Sequence, residues 1–94
     1  MSQRNARQKA SDYLRYSAFS RSSLIAQLQY EGFSADDSSY ATDALNPDWN
    51  QQAAAKAAEY LSSSSFSHSG LVEQLEYEGF SPAQAEYGVG TTGL

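Results

Sequence analysis

Few residues of this chain could carry covalent chemistry, and their spacing argues against it. His68 is the only histidine. It follows Ser67 at an expected helix start, where a solvated surface residue is the ordinary reading. A nucleophile needs a base within hydrogen-bond reach, and no second basic group accompanies His68 in any motif. The run Ser62 to Ser65 reads as a weakly helical end and turn rather than as a nucleophile cluster. Cysteine is absent, which removes disulfides, thiolate metal sites and cysteine nucleophiles together. The glycines occur singly at expected helix ends or in the last seven residues, so no phosphate-cradling loop is legible. These patterns point away from an enzyme, a cofactor or a metal centre.

The remaining chemistry is that of charge. The chain carries a net charge of −5, unevenly spread. Residues 1–47 hold five cations and five carboxylates, whereas residues 48–94 hold Lys56 alone against six carboxylates. Glu73, Glu76, Glu78 and Glu86 are therefore the candidate partner-binding residues, an acidic face suited to a basic protein segment. Glu31 and Glu78 each fall at the C-terminal end of an expected helix, where the backbone dipole disfavours an anion by about 0.3–1 kcal/mol. Two readings follow: the carboxylates bond to amides at the start of the next helix, or they serve the acidic face.

The elements that position these residues come from an internal repeat. Tyr30-Glu31-Gly32-Phe33-Ser34 recurs as Tyr77-Glu78-Gly79-Phe80-Ser81. At the same offset Tyr13-Leu14 matches Tyr60-Leu61, Phe19-Ser20 matches Phe66-Ser67, Leu24 matches Leu71, Gln27-Leu28 matches Gln74-Leu75 and Tyr40 matches Tyr87. Each copy reads as three helices. Ala6, Ala10, Tyr13, Leu14 and Ser17, and likewise Ala53, Ala57, Tyr60, Leu61 and Ser64, form one stripe at a 3.6-residue period. Ser20 and Ser67 are expected N-caps, with Phe19 against Leu24 and Phe66 against Leu71 as hydrophobic staples. Gly32 and Gly79 end the second helices in the left-handed position. Ser34 and Ser81 start the third, the latter with Pro82 and Gln84. Asn46-Pro47-Asp48 closes the first copy, and the glycine-containing end, Gly88 to Leu94, predicts an early-fraying last helix.

The fold class is thus all-α, a tandem repeat of two three-helix, helix-turn-helix-like units packed as one domain over residues 1–94, with repeats at about 3–47 and 50–94. Hydrophobic residues at 40% and aromatics at 13% exclude a disordered tail. Because three short helices bury little by themselves, the two copies are expected to share one core. Tyr13, Tyr60, Phe33, Phe80, Gly32 and Gly79 are its structural residues, and Trp49 is the expected wedge between copies. No stretch reaches the roughly 20 apolar residues of a membrane span.

Two helices joined by a glycine turn suggest a DNA reader. The expected reading helices, about Ala35 to Leu45 and Pro82 to Val89, carry Asp36, Asp37, Asp43 and Glu86 and no cation, so they would repel phosphate. Only the first helix is basic, with Arg4, Arg7, Lys9 and Arg15. A cytosolic DNA-associated protein using that helix is the alternative, and a structural spacer of a surface protein is a third reading.

The repeated Tyr-Leu, Phe-Ser, Gln-Leu and Tyr-Glu-Gly-Phe-Ser pattern, with Asn46-Pro47-Asp48-Trp49-Asn50-Gln51-Gln52-Ala53 between copies, resembles the Ltp family of host cell surface-exposed lipoproteins from about Ala6 to Tyr87. The resemblance implies a helical module outside Gram-positive bacteria. It further implies superinfection exclusion: the phage tape measure protein is bound and DNA injection is blocked. Family members are exported and anchored by lipid or membrane. Residues 1–9 carry neither an apolar segment nor a cysteine for a lipid, so the expectation is the soluble, monomeric domain of such a protein on the extracellular face of the membrane, with a cytoplasmic location as the alternative.

Overall fold

The computed structural model describes residues 2–94, which form six helices: α1 (Ser2–Tyr16), α2 (Arg21–Tyr30), α3 (Ala35–Leu45), α4 (Trp49–Ser63), α5 (His68–Tyr77) and α6 (Pro82–Gly90). No strand occurs among the described residues. The helix starts are fixed by side chains that satisfy orphan amides. Ser20, Ser34, Ser67 and Ser81 accept from the amides of Ser23, Asp37, Gly70 and Gln84. Asp48 caps α4 by accepting from Gln51 N. The Ser81–Gln84 capping box forms, and a second one joins Ser20 to Ser23.

Both Tyr-Glu-Gly-Phe-Ser segments fold into the same helix stop. Gly32 and Gly79 each sit at φ +108, a conformation that a Cβ makes costly. Phe33 N reaches Leu28 O at 3.1 Å and Gly32 N reaches Gln29 O at 3.0 Å. The second copy repeats this with Phe80 to Leu75 at 3.1 Å and Gly79 to Glu76 at 3.0 Å. This pairing satisfies the last carbonyls and drops Phe33 and Phe80 back onto the helices they follow.

The expected shared core is replaced by two. Ala6, Ala10, Leu24, Leu28 and Ala41 form one buried cluster, flanked by Tyr13, Leu14, Phe19, Phe33, Leu45 and Trp49. Ala53, Ala57, Leu71, Val72, Leu75, Phe80, Ala85 and Val89 form the other, flanked by Tyr60, Leu61 and Phe66. The reason lies in the small residues. Alanines on α1 and α3, and on α4 and α6, let the first and third helices of each repeat approach closely, so three short helices enclose their own leucines. The molecule is accordingly elongated, 44 × 22 × 19 Å.

Two further expectations are corrected. Trp49 is half-buried against the first cluster alone, so it ties the start of α4 to the first repeat instead of wedging between cores. The last helix does not fray at Gly88. A Cβ there would fall 2.7 Å from the backbone of Ala53, so glycine is what allows α6 to lie against α4, and Val89 beyond it is fully buried.

The repeats meet along a polar seam. Ala18 N donates to Glu59 Oε2 at 3.1 Å, Phe19 N to Gln52 Oε1 at 2.9 Å, and Ser20 Oγ to Glu78 O at 2.7 Å. The N-terminus of α2 thus abuts the C-terminus of α5, which brings opposite ends of two helix dipoles together. Gly79 admits this approach, since a Cβ there would strike Ser20 Oγ and Ser22 Oγ.

Candidate protein-interaction surface

Each repeat holds a glutamate in place through a three-residue network that joins its first helix to the end of its second. Tyr13 OH on α1 donates to the Glu31 carboxylate at the end of α2 and accepts from Gln27 Nε2 at 3.2 Å. Tyr60 OH donates to Glu78 and accepts from Gln74 Nε2 at 3.1 Å. Edge-on packing of Tyr13 on Phe19 and of Tyr60 on Phe66, both at 5.7 Å between ring centres, orients the phenols. The Glu31 bond raises the Tyr13 pKa above the ordinary phenol value, with Gln27 opposing. For Tyr60 burial is the first cause and the Glu78 bond the second. The amide reading of these glutamates is not what the fold does: the carboxylates bond to tyrosine hydroxyls, not to amides of the next helix. Charge-assisted bonds of this kind offset the dipole penalty.

The four candidate carboxylates therefore separate into kinds. Glu73 and Glu76 lie exposed on α5 and make no hydrogen bond or ion pair among the described residues. Glu78 is half-buried and held by Tyr60. Glu86, exposed on α6, accepts from His68.

His68 is more than a solvated residue. Its Nδ1 lies 2.8 Å from Leu94 O and its Nε2 3.1 Å from Glu86 Oε2. Both partners accept, so both ring nitrogens must carry protons, and the imidazolium is favoured. The repeat explains the position: His68 corresponds to Arg21, which forks onto Asp43 at 2.8 and 2.9 Å. That pairing raises the Arg21 pKa and lowers that of Asp43. Each repeat thus uses a cation at the first residue of its second helix to hold its third.

The His68 pKa is raised first by the Leu94 oxygen and then by Glu86. A raised folded-state pKa means that the clasp contributes fully below the ordinary histidine value of about 6.5 and is lost as pH rises through the folded-state value. An NMR titration of the imidazole should therefore give a pKa above the ordinary one. Glu86→Gln should lower it only in part, because Leu94 O remains. A titration at or below the ordinary value in the native chain would contradict the geometry.

Sequence reasoning missed the exposed tyrosines. Tyr30 is 85% and Tyr77 86% exposed, Tyr16 is 88% exposed, and Tyr40 and Tyr87 are about half exposed. Tyr30 and Tyr77 occupy the same repeat position, as do Tyr40 and Tyr87, yet packing does not require them. The available signal was that Tyr30 falls off the Leu24–Leu28 row while being retained in both copies. Tyr77 stands between the free Glu76 and the Tyr60-held Glu78, with the free Glu73 one turn earlier, so an aromatic ring and two free carboxylates share the end of α5. Such a mixture suits cationic side chains, which pair with the carboxylates and stack on the ring.

Among the described residues, no group of three or more histidines or carboxylates is placed to hold a metal, and no helix is long and apolar enough to cross a membrane. A family model described as host cell surface-exposed lipoprotein, Ltp, matches residues 2–45 and again residues 48–91. No curated protein and no solved structure matches the chain.

Proposed function

Because the chain belongs to the family of host cell surface-exposed lipoproteins, matched once by each repeat, we propose that it is a non-enzymatic protein-binding module of the extracellular membrane face that captures a basic segment of an incoming phage protein. The tape measure protein is the occupant, and the biological result is superinfection exclusion by blocked DNA injection. One observation carries this reading: the whole net charge of −5 resides in the second half, where Glu73 and Glu76 precede the exposed Tyr77 on α5 and have no internal partner among the described residues. Complementary charge speeds encounter and fixes register more than it deepens affinity. The family is one of non-enzymatic lipoproteins.

The test is a binding titration with basic segments of a tape measure protein at low and moderate salt. Glu73→Lys with Glu76→Lys removes the free carboxylates and leaves the Tyr60–Glu78 and His68–Glu86 contacts intact, so the fold is spared. Association at low salt should slow by roughly tenfold or more and lose most of its salt dependence. Unchanged association of the double variant would end the acidic-face reading. Duplex DNA belongs in the same titration, since salt-sensitive micromolar binding through the cations of α1 would assign the protein to the nucleic-acid class instead.

A further inference from the structure

The seam between the repeats joins two different surfaces. The first repeat supplies donors from its α1–α2 loop, Ala18 N, Phe19 N and Ser20 Oγ, and the second supplies the acceptors Glu59, Gln52 and the Glu78 carbonyl. A contact of this kind is head-to-tail, so it leaves one half unused at each end of the pair. Shifted by the repeat offset, the unused donors are Ser65 N, Phe66 N and Ser67 Oγ, and the corresponding acceptors are Asn5, the Glu31 carbonyl and Asp12, whose Oδ1 already accepts from Gln8 and Arg15 and whose Oδ2 is left over.

Several features mark these halves as competent. The acceptor chemistry is kept, an amide at 5 and 52 and a carboxylate at 12 and 59. The hydroxyl is kept at 20 and 67. Among the described residues no acceptor meets Ser65 N or Phe66 N, in a loop where Ser65 and Ser67 are exposed. The space beside Gly32 is empty within 4 Å, whereas the same space beside Gly79 is filled by Ser20 and Ser22. Charge is complementary as well: the joint would set the acidic second repeat of one chain against the α1 of another, which bears Arg4, Arg7 and Lys9.

We propose that a second copy of this chain docks its α4–α5 loop onto α1 and the α2–α3 turn of the first, reproducing the internal seam between molecules. The contact does not close on itself, so further copies extend the row linearly. Inside one chain the three-residue link at Asn46 to Asp48 supplies a high effective concentration, and between chains that advantage is lost. Three hydrogen bonds without an apolar core give an affinity on the order of a millimolar. The chain is then a monomer when dilute and associates when crowded.

Amide NMR spectra of the intact chain between about 0.05 and about 2 mM test this. The expected result is concentration-dependent shifts at Ser65, Phe66 and Ser67 on one side and at Asn5 and Gly32 on the other, with a scattering mass that rises over the same range. Ser65→Pro removes one donor and leaves the monomer fold in place, because Ser64 is already extended at φ −149, ψ 164, the conformation a following proline demands. That variant should weaken association roughly fivefold to tenfold with its dilute spectrum unchanged elsewhere. The proposal is overturned by spectra that do not change with concentration, by shifts confined to other surfaces such as the exposed tyrosines, or by a Ser65→Pro chain that associates as well as the parent.

Discussion

Leu24→Ala is expected to unfold one half of the molecule and leave the other standing. Leu24 is fully buried in the first cluster, and removing a buried leucine side chain costs about 2–5 kcal/mol. A unit of this size has only roughly 2–7 kcal/mol of stability in total. The second repeat loses just the seam, whose hydrogen bonds contribute about 1 kcal/mol each, so its core persists. Helical circular dichroism should fall by about half. Amide exchange protection should vanish over α1 to α3 and survive over α4 to α6. Trp49 fluorescence should shift to the red although Trp49 opens α4, because its ring packs on the first cluster. Leu71→Ala should give the mirror result and leave Trp49 less affected. If either variant loses protection evenly along the chain, the two repeats share one cooperative core and the description of separate clusters is wrong.

The second large effect has the opposite sign. Ser38 and Thr42 on α3 are fully buried, and neither hydroxyl has a hydrogen-bond partner among the described residues. At the same positions α6 carries Ala85 and Val89, both in the second apolar cluster. A buried hydroxyl without a partner costs about 1–3 kcal/mol. Ser38→Ala and Thr42→Val, the second nearly isosteric, should therefore each stabilise the first repeat by about that amount. Each should raise its melting temperature by roughly 5 °C or more. Calorimetry of the single and double variants measures it. A lower melting temperature would mean that the hydroxyls reach the carbonyls one turn earlier in solution. The comparison also ranks the halves: in the native chain the first repeat should be the less stable and the first to exchange its amides.

Much of the fold was legible because its determinants are local. The caps at Ser20, Ser34, Ser67 and Ser81 act over three residues, and Gly32 and Gly79 act on their own φ, so type and spacing sufficed to place six boundaries. The partners of the core helices were not legible in the same way. Alanine stripes announce that something packs closely without naming what, and only the folded chain pairs α1 with α3 and α4 with α6. That pairing decided that there are two cores, and that Gly88 is a contact residue rather than a weak point.

The candidate surface divides along the same line. Composition alone determined that charge accumulates in the second half, since that is a property of a list of residues. Which carboxylates remain available was a matter of distances across helices remote in the chain: Tyr60 occupies Glu78, His68 occupies Glu86, and Glu73 and Glu76 are left to solvent. Periodicity specifies which face of a helix turns inward. It carries no information about which polar group waits across the gap, so free and engaged glutamates became distinguishable only once tertiary contacts brought their partners within hydrogen-bonding range.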